Sequence, residues 1–409
     1  MTALDLAFVR SQFPAFAERS LAGFAHFENA GGSFACGPVI AALDHFYRAT
    51  KVQPYYAFEP SASAGAEMYR ARERMAAWLN VATDELHFGP STSQNTYVLA
   101  QAFRRHLQRG DEVIVTNQDH EANVGAWSRL QDDGIVVRTW QVDADGALRI
   151  QDLEALLGER TRRVAFTHSS NVVGTIHPVR EITDLVHRAG ALAVVDGVCA
   201  CPHGLPDVAA LGADIYLFSL YKVYGPHVGA MYVRRTLAEQ LPSQAHFFKG
   251  NALAGRFTPA GPDHPQVAAL NGVIDYMEAV ASRHGYGALT LPGRAAAVRQ
   301  LFRDYECERV QPLLDFLASC RKVRLIGSTT AAARTPTVAF TVAGQSSVAI
   351  ATELARLGIG AGVGNFYAWR LLQALGIDTA DGVVRVSLVH YTSAEDVDRL
   401  IAALRPMLQ

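Results

Sequence analysis

The sequence predicts an α/β fold, with a large domain on a mostly parallel central sheet and a small C-terminal α/β domain. Three observations carry this reading. Short apolar runs end in polar or glycine-rich turns and alternate with amphipathic helical stretches. Asp196 closes one such run (residues 191–195) and Lys222 follows the next (215–218), 26 residues further on. Open α/β sheets gather ligands at the carboxyl ends of their strands, so an acid and a lysine at successive strand ends are placed for chemistry. After about residue 295 the helix–strand alternation starts again, which divides the chain into a large part, 26–290, and a small one made of 1–25 and 291–409.

The whole-chain quantities fit a large folded protein. The 409 residues are 49% hydrophobic, enough to bury a sizeable core. A formal net charge of −2 gives no electrostatic reason to expect nucleic acid or an anionic membrane as a partner. The five cysteines are an odd number in a long chain, which argues against a disulfide framework, and Cys199-Ala200-Cys201 lacks zinc-site spacing. No metal site is expected. The N-terminus mixes charges and has no signal-like apolar core, and no run of about 20 apolar residues exists to span a bilayer. A cytoplasmic location is expected.

The elements follow in order. Residues 1–25 read as a short helix and a crossing segment, and residues 27–33 (FENAGGS) as a turn. A helix is expected over 64–79 and a short strand over 85–88. The strand breaks into Gly89-Pro90-Ser91-Thr92-Ser93, which opens a helix reaching about residue 106. Such an opening is a phosphate cradle or an ordinary N-cap. A strand at 111–116 delivers Asp119-His120-Glu121, and strands at 136–142 and 163–166 flank a helical turn at 153–157. The second ends in Ser170-Asn171-Val172-Val173-Gly174-Thr175, where Asn171 is a turn residue or a ligand contact. A helix at 182–188 leads to Asp196, and a third strand at 228–233 follows Lys222. A single long helix is expected over 266–282. The small part holds a helix at 296–320, strands at 337–342 and 383–387, and helices at 348–357 and from 394 to about 404.

The Asp196–Lys222 pair matches the needs of pyridoxal phosphate, which takes a lysine to form a Schiff base and an acid to keep its ring nitrogen protonated. The stretch Ser219-Leu220-Tyr221-Lys222 followed by Gly225-Pro226 resembles the cofactor-lysine region of the class V aminotransferase family. In particular it resembles the cysteine desulfurase-like subgroup, in which Tyr precedes the lysine where true desulfurases have His. The resemblance runs from about residue 20 to the end. It implies fold type I of the pyridoxal-phosphate-dependent transferases, pyridoxal 5'-phosphate as cofactor, an amino-acid substrate and a homodimer.

Residue by residue, the resemblance makes Lys222 the cofactor lysine, Asp196 the partner of the ring nitrogen and His120 the stacking residue. Thr92, Ser93, Ser219 and Tyr221 fall on the phosphate, and Asn171 on the phenolic oxygen or the substrate. Arg385, in Val384-Arg385-Val386-Ser387, falls on the substrate carboxylate, which suits its planar fork. Asn29 and Ala30 meet the substrate, with Glu28 standing where the family commonly has Asp. Asn365 and Tyr367 are candidates for specificity.

Three departures qualify the likeness. Cys199 stands where true desulfurases carry Gln. Pro262 stands where they carry a Thr that crosses the dimer, with Asn251, Thr258 and His264 as possible substitutes. The segment 358–370 contains no cysteine, although a desulfurase needs a mobile thiolate there. The expectation is therefore a C–S lyase, by β-elimination on a cysteine-type substrate. Transamination or epimerisation is the alternative, and a non-catalytic member of the fold is a weaker one, because such a copy would have lost Lys222.

Overall fold

The computed structural model describes residues 3–249 and 252–408. The chain's first strand, β1 (Ala25–His26), joins a distant partner described below. Seven strands then build the large sheet: β2 (Leu86–Gly89), β3 (Glu112–Thr116), β4 (Val136–Trp140), β5 (Thr161–Thr167), β6 (Leu192–Asp196), β7 (Ile215–Ser219) and β8 (Gly229–Val233). Their order is β2-β8-β7-β6-β5-β3-β4. The run from β4 to β7 is parallel, whereas β8 is antiparallel to both β7 and β2. Register pairs Thr167 with Asp196 and Asp196 with Leu217, so the carboxyl ends of β5, β6 and β7 lie side by side.

The near-continuous apolar strands follow from burial on both faces. Ala193, Val195, Tyr216 and Phe218 enter one core. Val194, Ile215 and Leu217, which alternate with them, enter the other.

The small sheet is formed by β9 (Val323–Ile326), β10 (Thr337–Val342), β12 (Gly362–Gly364) and β13 (Val383–Ser387), antiparallel throughout in the order β12-β13-β10-β9. The strand before β12, β11 (Ile359–Gly360), pairs in parallel with β1. Helices Leu291–Ser319, Ser347–Arg356 and Ala394–Leu408 supply the apolar cover. The N-terminal helix Leu6–Ser11 bridges both parts. Val9 and Phe13 enter the large core, and Arg10 pairs with Asp396 of the last helix.

Most expected elements are present with shifted ends. The helix expected at 64–79 starts earlier, at Glu59, because Pro60 sits in its first turn, where a missing N–H costs nothing. The long helix expected at 266–282 is instead two segments, His264–Ala268 and Leu270–Arg283. The short strands β1, β9, β11 and β12 and the helix Gly37–His45 were not anticipated.

Candidate active site

A cavity of about 480 Å³ opens where the parallel strands end. Thr92, Ser93, His120, Asn171, Asp196, Ser219, Tyr221 and Lys222 all line it, although they come from five separate stretches of chain. Its floor holds Asp196 and Lys222, 5% and 6% exposed. Asp196 is the last residue of β6, and its Oδ1 accepts the Val198 N–H at 2.8 Å. Burial raises its pKa, while that N–H and the Lys222 charge oppose the rise. Lys222 closes the short 3-10 turn Leu220–Lys222 directly after β7.

At one end the helix Thr92–Arg104 points its N-terminus into the cavity, capped by Ser91, whose side chain accepts the Gln94 N–H. Thr92 Oγ1 and Ser219 Oγ are 2.7 Å apart, which places two hydroxyls at that N-terminus. Gly229 makes the approach possible, since a Cβ there would collide with the Ser91–Thr92 backbone. Tyr221 stacks on His227, with ring planes 5° apart and centroids 4.8 Å apart. Exposed N–H groups, hydroxyls and a helix dipole form an anion cradle.

On the cavity wall, His120 Nδ1 accepts the Ala122 N–H at 3.0 Å, which leaves the proton on Nε2. Burial, with the charges of Lys222 and Arg385, pushes its pKa down to about 4, so the ring is neutral. Tyr367 lies against it, with ring centroids 5.0 Å apart. Asn171 donates through Nδ2 to the Phe366 carbonyl at 2.8 Å, while its buried Oδ1 has no protein partner. An anion cradle, a buried lysine beside a buried acid, and an orphaned acceptor on the wall fit the phosphate, aldehyde, ring nitrogen and phenolic oxygen of pyridoxal phosphate.

The remaining named residues lie beside the cavity. Asn29 and Ala30 line a separate small void behind Lys222, together with Cys199 and Ser387. The Asn29 amide is committed: Nδ2 donates to the Ser387 carbonyl at 2.8 Å, and Oδ1 accepts from Tyr391. Ala30 N–H donates to Ser387 Oγ. Asn365 stays outside the cavity, where its Oδ1 accepts the Tyr367 N–H and holds the loop. Arg385 is buried. Its Nη2 bonds Glu28 Oε1, its Nη1 donates to the Asn171 carbonyl at 3.1 Å, and its guanidinium covers the Phe366 ring at 3.7 Å. Sequence reasoning noticed Glu28 only as a departure and missed Phe366; no local signal marks a pair 357 residues apart.

The possible dimer-crossing substitutes lie apart. Thr258 bonds the Phe88 carbonyl, His264 opens the helix His264–Ala268, and Asn251 lies outside the described residues. Cys199 lines the cavity, with its thiol pKa raised by burial, and the described cysteines are all free.

These features define a pyridoxal-phosphate site on fold type I. The model of the class V aminotransferase family matches residues 25–283 and 296–400. The aminotransferase-like protein FGM3 of Gibberella zeae is 36% identical, with 98% of each chain covered. A cysteine desulfurase of Serratia proteamaculans is 30% identical over 97% of each. The apo cysteine desulfurase structure from Thermococcus onnurineus superposes with a TM-score of 0.86 at 23% identity, covering 100% of this chain and 99% of that one. The chain belongs to the class V aminotransferase family, as a cysteine desulfurase-like, pyridoxal-phosphate-dependent enzyme.

Proposed function

We propose that the enzyme is a C–S lyase that performs β-elimination on a cysteine-type substrate, acting as a cytosolic homodimer. The observation that carries this reading is a cavity that joins Lys222 and Asp196 while the 358–370 segment offers no thiol to accept sulfur. The cysteine that lines the cavity, Cys199, has its thiol pushed toward the protonated form.

Bound pyridoxal phosphate supplies an electron sink that acidifies the substrate Cα–H. Thr92, Ser93, Ser219 and Tyr221 would hold its phosphate. Lys222 holds the cofactor covalently at rest, and its freed amine takes the Cα proton. Asp196 would hold the proton at the ring nitrogen, His120 would cover the ring and Asn171 would turn its unpartnered Oδ1 to the phenolic hydroxyl. Arg385 marks the side toward which the substrate's carboxyl group is directed, with Asn29 and Ala30 behind Lys222 and Asn365 shaping the loop opposite. When the Cβ–S bond breaks, sulfur leaves with the bonding pair, and water converts the remaining enamine to a keto product and ammonia. Transamination or epimerisation is the second reading, favoured by the aminotransferase-like description of FGM3.

The test is the absorption spectrum of the purified protein, followed by addition of cysteine, S-substituted cysteines and the amides of both. A visible cofactor band that is lost in Lys222→Ala, with thiol or sulfide released alongside a keto product and ammonia, is the expected outcome. Sulfide with alanine would mean desulfuration through another acceptor. Amino-group transfer or loss of chirality without sulfur release would favour the second reading.

A further inference from the structure

The Glu28 carboxylate sits in a built position. Phe27 N–H donates to the Gly360 carbonyl at 2.8 Å and Ser387 N–H to the Phe27 carbonyl at 2.7 Å. Glu28 is thereby clamped beside β13, in bridge register with Ser387. Two glycines make the room. A Cβ on Gly31 would fall inside the Glu28 carboxyl group, and one on Gly362 would stand 2.5 Å from Glu28 Oε1 and 2.9 Å from the Phe366 ring. Gly362 is itself the register partner of Arg385 on β12. The Arg385 side chain is 3% exposed, against 26% for Glu28.

Both terminal nitrogens of Arg385 are therefore engaged as donors within the chain itself. Glu28 takes Nη2, the Asn171 carbonyl takes Nη1 and Phe366 covers the face, leaving Nε as the donor without a protein partner. A free carboxylate needs paired N–H donors and would bring a second negative charge against Glu28. A neutral carbonyl oxygen needs one donor and brings no charge.

Resting on the cofactor reading above, we propose that Glu28 fills the carboxylate position on Arg385, so that the substrate is an amine whose neighbouring carbonyl is capped. An amide, ester or thioester of a cysteine-type amino acid would fit, and the free acid would not.

The test titrates the holoenzyme with L-alanine and L-alaninamide, which carry no group to eliminate, and reads dissociation constants from the shift of the cofactor's absorption band. The two amines differ in basicity, but that offset is common to wild type and variant. The expected result is a wild-type preference for the amide of about tenfold or more, falling by about tenfold in Glu28→Gln through tighter alanine binding. Glu28→Asp, one methylene shorter and so withdrawn from Arg385, is the second variant and shifts in the same direction. A wild-type preference for alanine, or a preference that moves by less than about threefold in both variants, would overturn the inference. If a band that depends on Lys222 is present but neither ligand moves it, the cofactor reading stands and the capped-substrate inference falls. Absence of any band fells both.

Discussion

Asp196 and Lys222 show how much of a site two residues can specify. Each sits at the end of a strand whose apolar run was readable, and each is buried on the floor of one cavity. The roles proposed for them are separable by substitution. Asp196→Asn keeps the side-chain shape and the fold but removes the acid, and turnover should fall by about 100-fold or more while the cofactor band persists. The hydroxyls of Thr92 and Ser219 should act on retention instead. Thr92→Ala or Ser219→Ala should each raise the cofactor's dissociation constant by about tenfold, measured by equilibrium dialysis, because a charge-assisted hydrogen bond is lost. A Thr92→Ala protein that holds cofactor as tightly as wild type would remove that residue from the cradle.

At the scale of elements, the site depends on close passages that sequence patterns signal poorly. Gly229 opens β8, and a methyl group there would strike the Ser91–Thr92 backbone at the start of a helix. Gly229→Ala should cost about 1–3 kcal/mol of stability and loosen cofactor binding, read as a lower melting temperature together with a higher dissociation constant. The loop after β12 is strained as well as crowded. Phe366 and Tyr367 both adopt left-handed backbone, with φ of 51° and 58°. Such residues cost of order 1–3 kcal/mol each and persist where surroundings enforce them. Here the Asn365 side chain bonds within the loop, and the Asn171 amide and the Glu121 N–H bond it from separate elements.

The parallel strands were legible because burial on both faces writes a continuous apolar run. The strands β11 and β12 were not, since Ile359–Gly360 and Gly362–Gly364 are too short and too rich in glycine to carry a period of two. The Glu28–Arg385 pair was hidden for a different reason, because only the fold brings together residues 357 positions apart.

At the scale of the molecule, the fold encloses many histidines in neutral form. Burial pushes the pKa of His87 down to about 3 and those of His120, His168 and His177 to about 4, from 6.5. Between those values and 6.5 the unfolded chain takes up protons that the folded chain refuses. The stability these histidines contribute is therefore complete above about pH 6.5 and is lost as pH falls, by up to about 1.4 kcal/mol per pH unit for each histidine. Thermal unfolding should show a melting temperature that drops steeply from about pH 6 to 4.5, because these histidines outnumber the buried acids Asp119 and Asp196, whose raised pKa values act in the opposite sense. A profile that stays level through pH 5 would contradict the depressed values.

The pairing of β1 with β11 sets an order on how the protein can be made. Ala25 finds its partner only at Ile359, and the Phe27 carbonyl accepts from Ser387. During synthesis the large sheet can close once its strands have left the ribosome, but the segment carrying Glu28 must wait for its partners between Ile359 and Ser387. Nascent chains stalled before residue 359 should expose residues 25–33 to protease while the strands from Leu86 to Val233 resist. The surroundings of Glu28 are thus assembled late, because Ala25 must wait for Ile359.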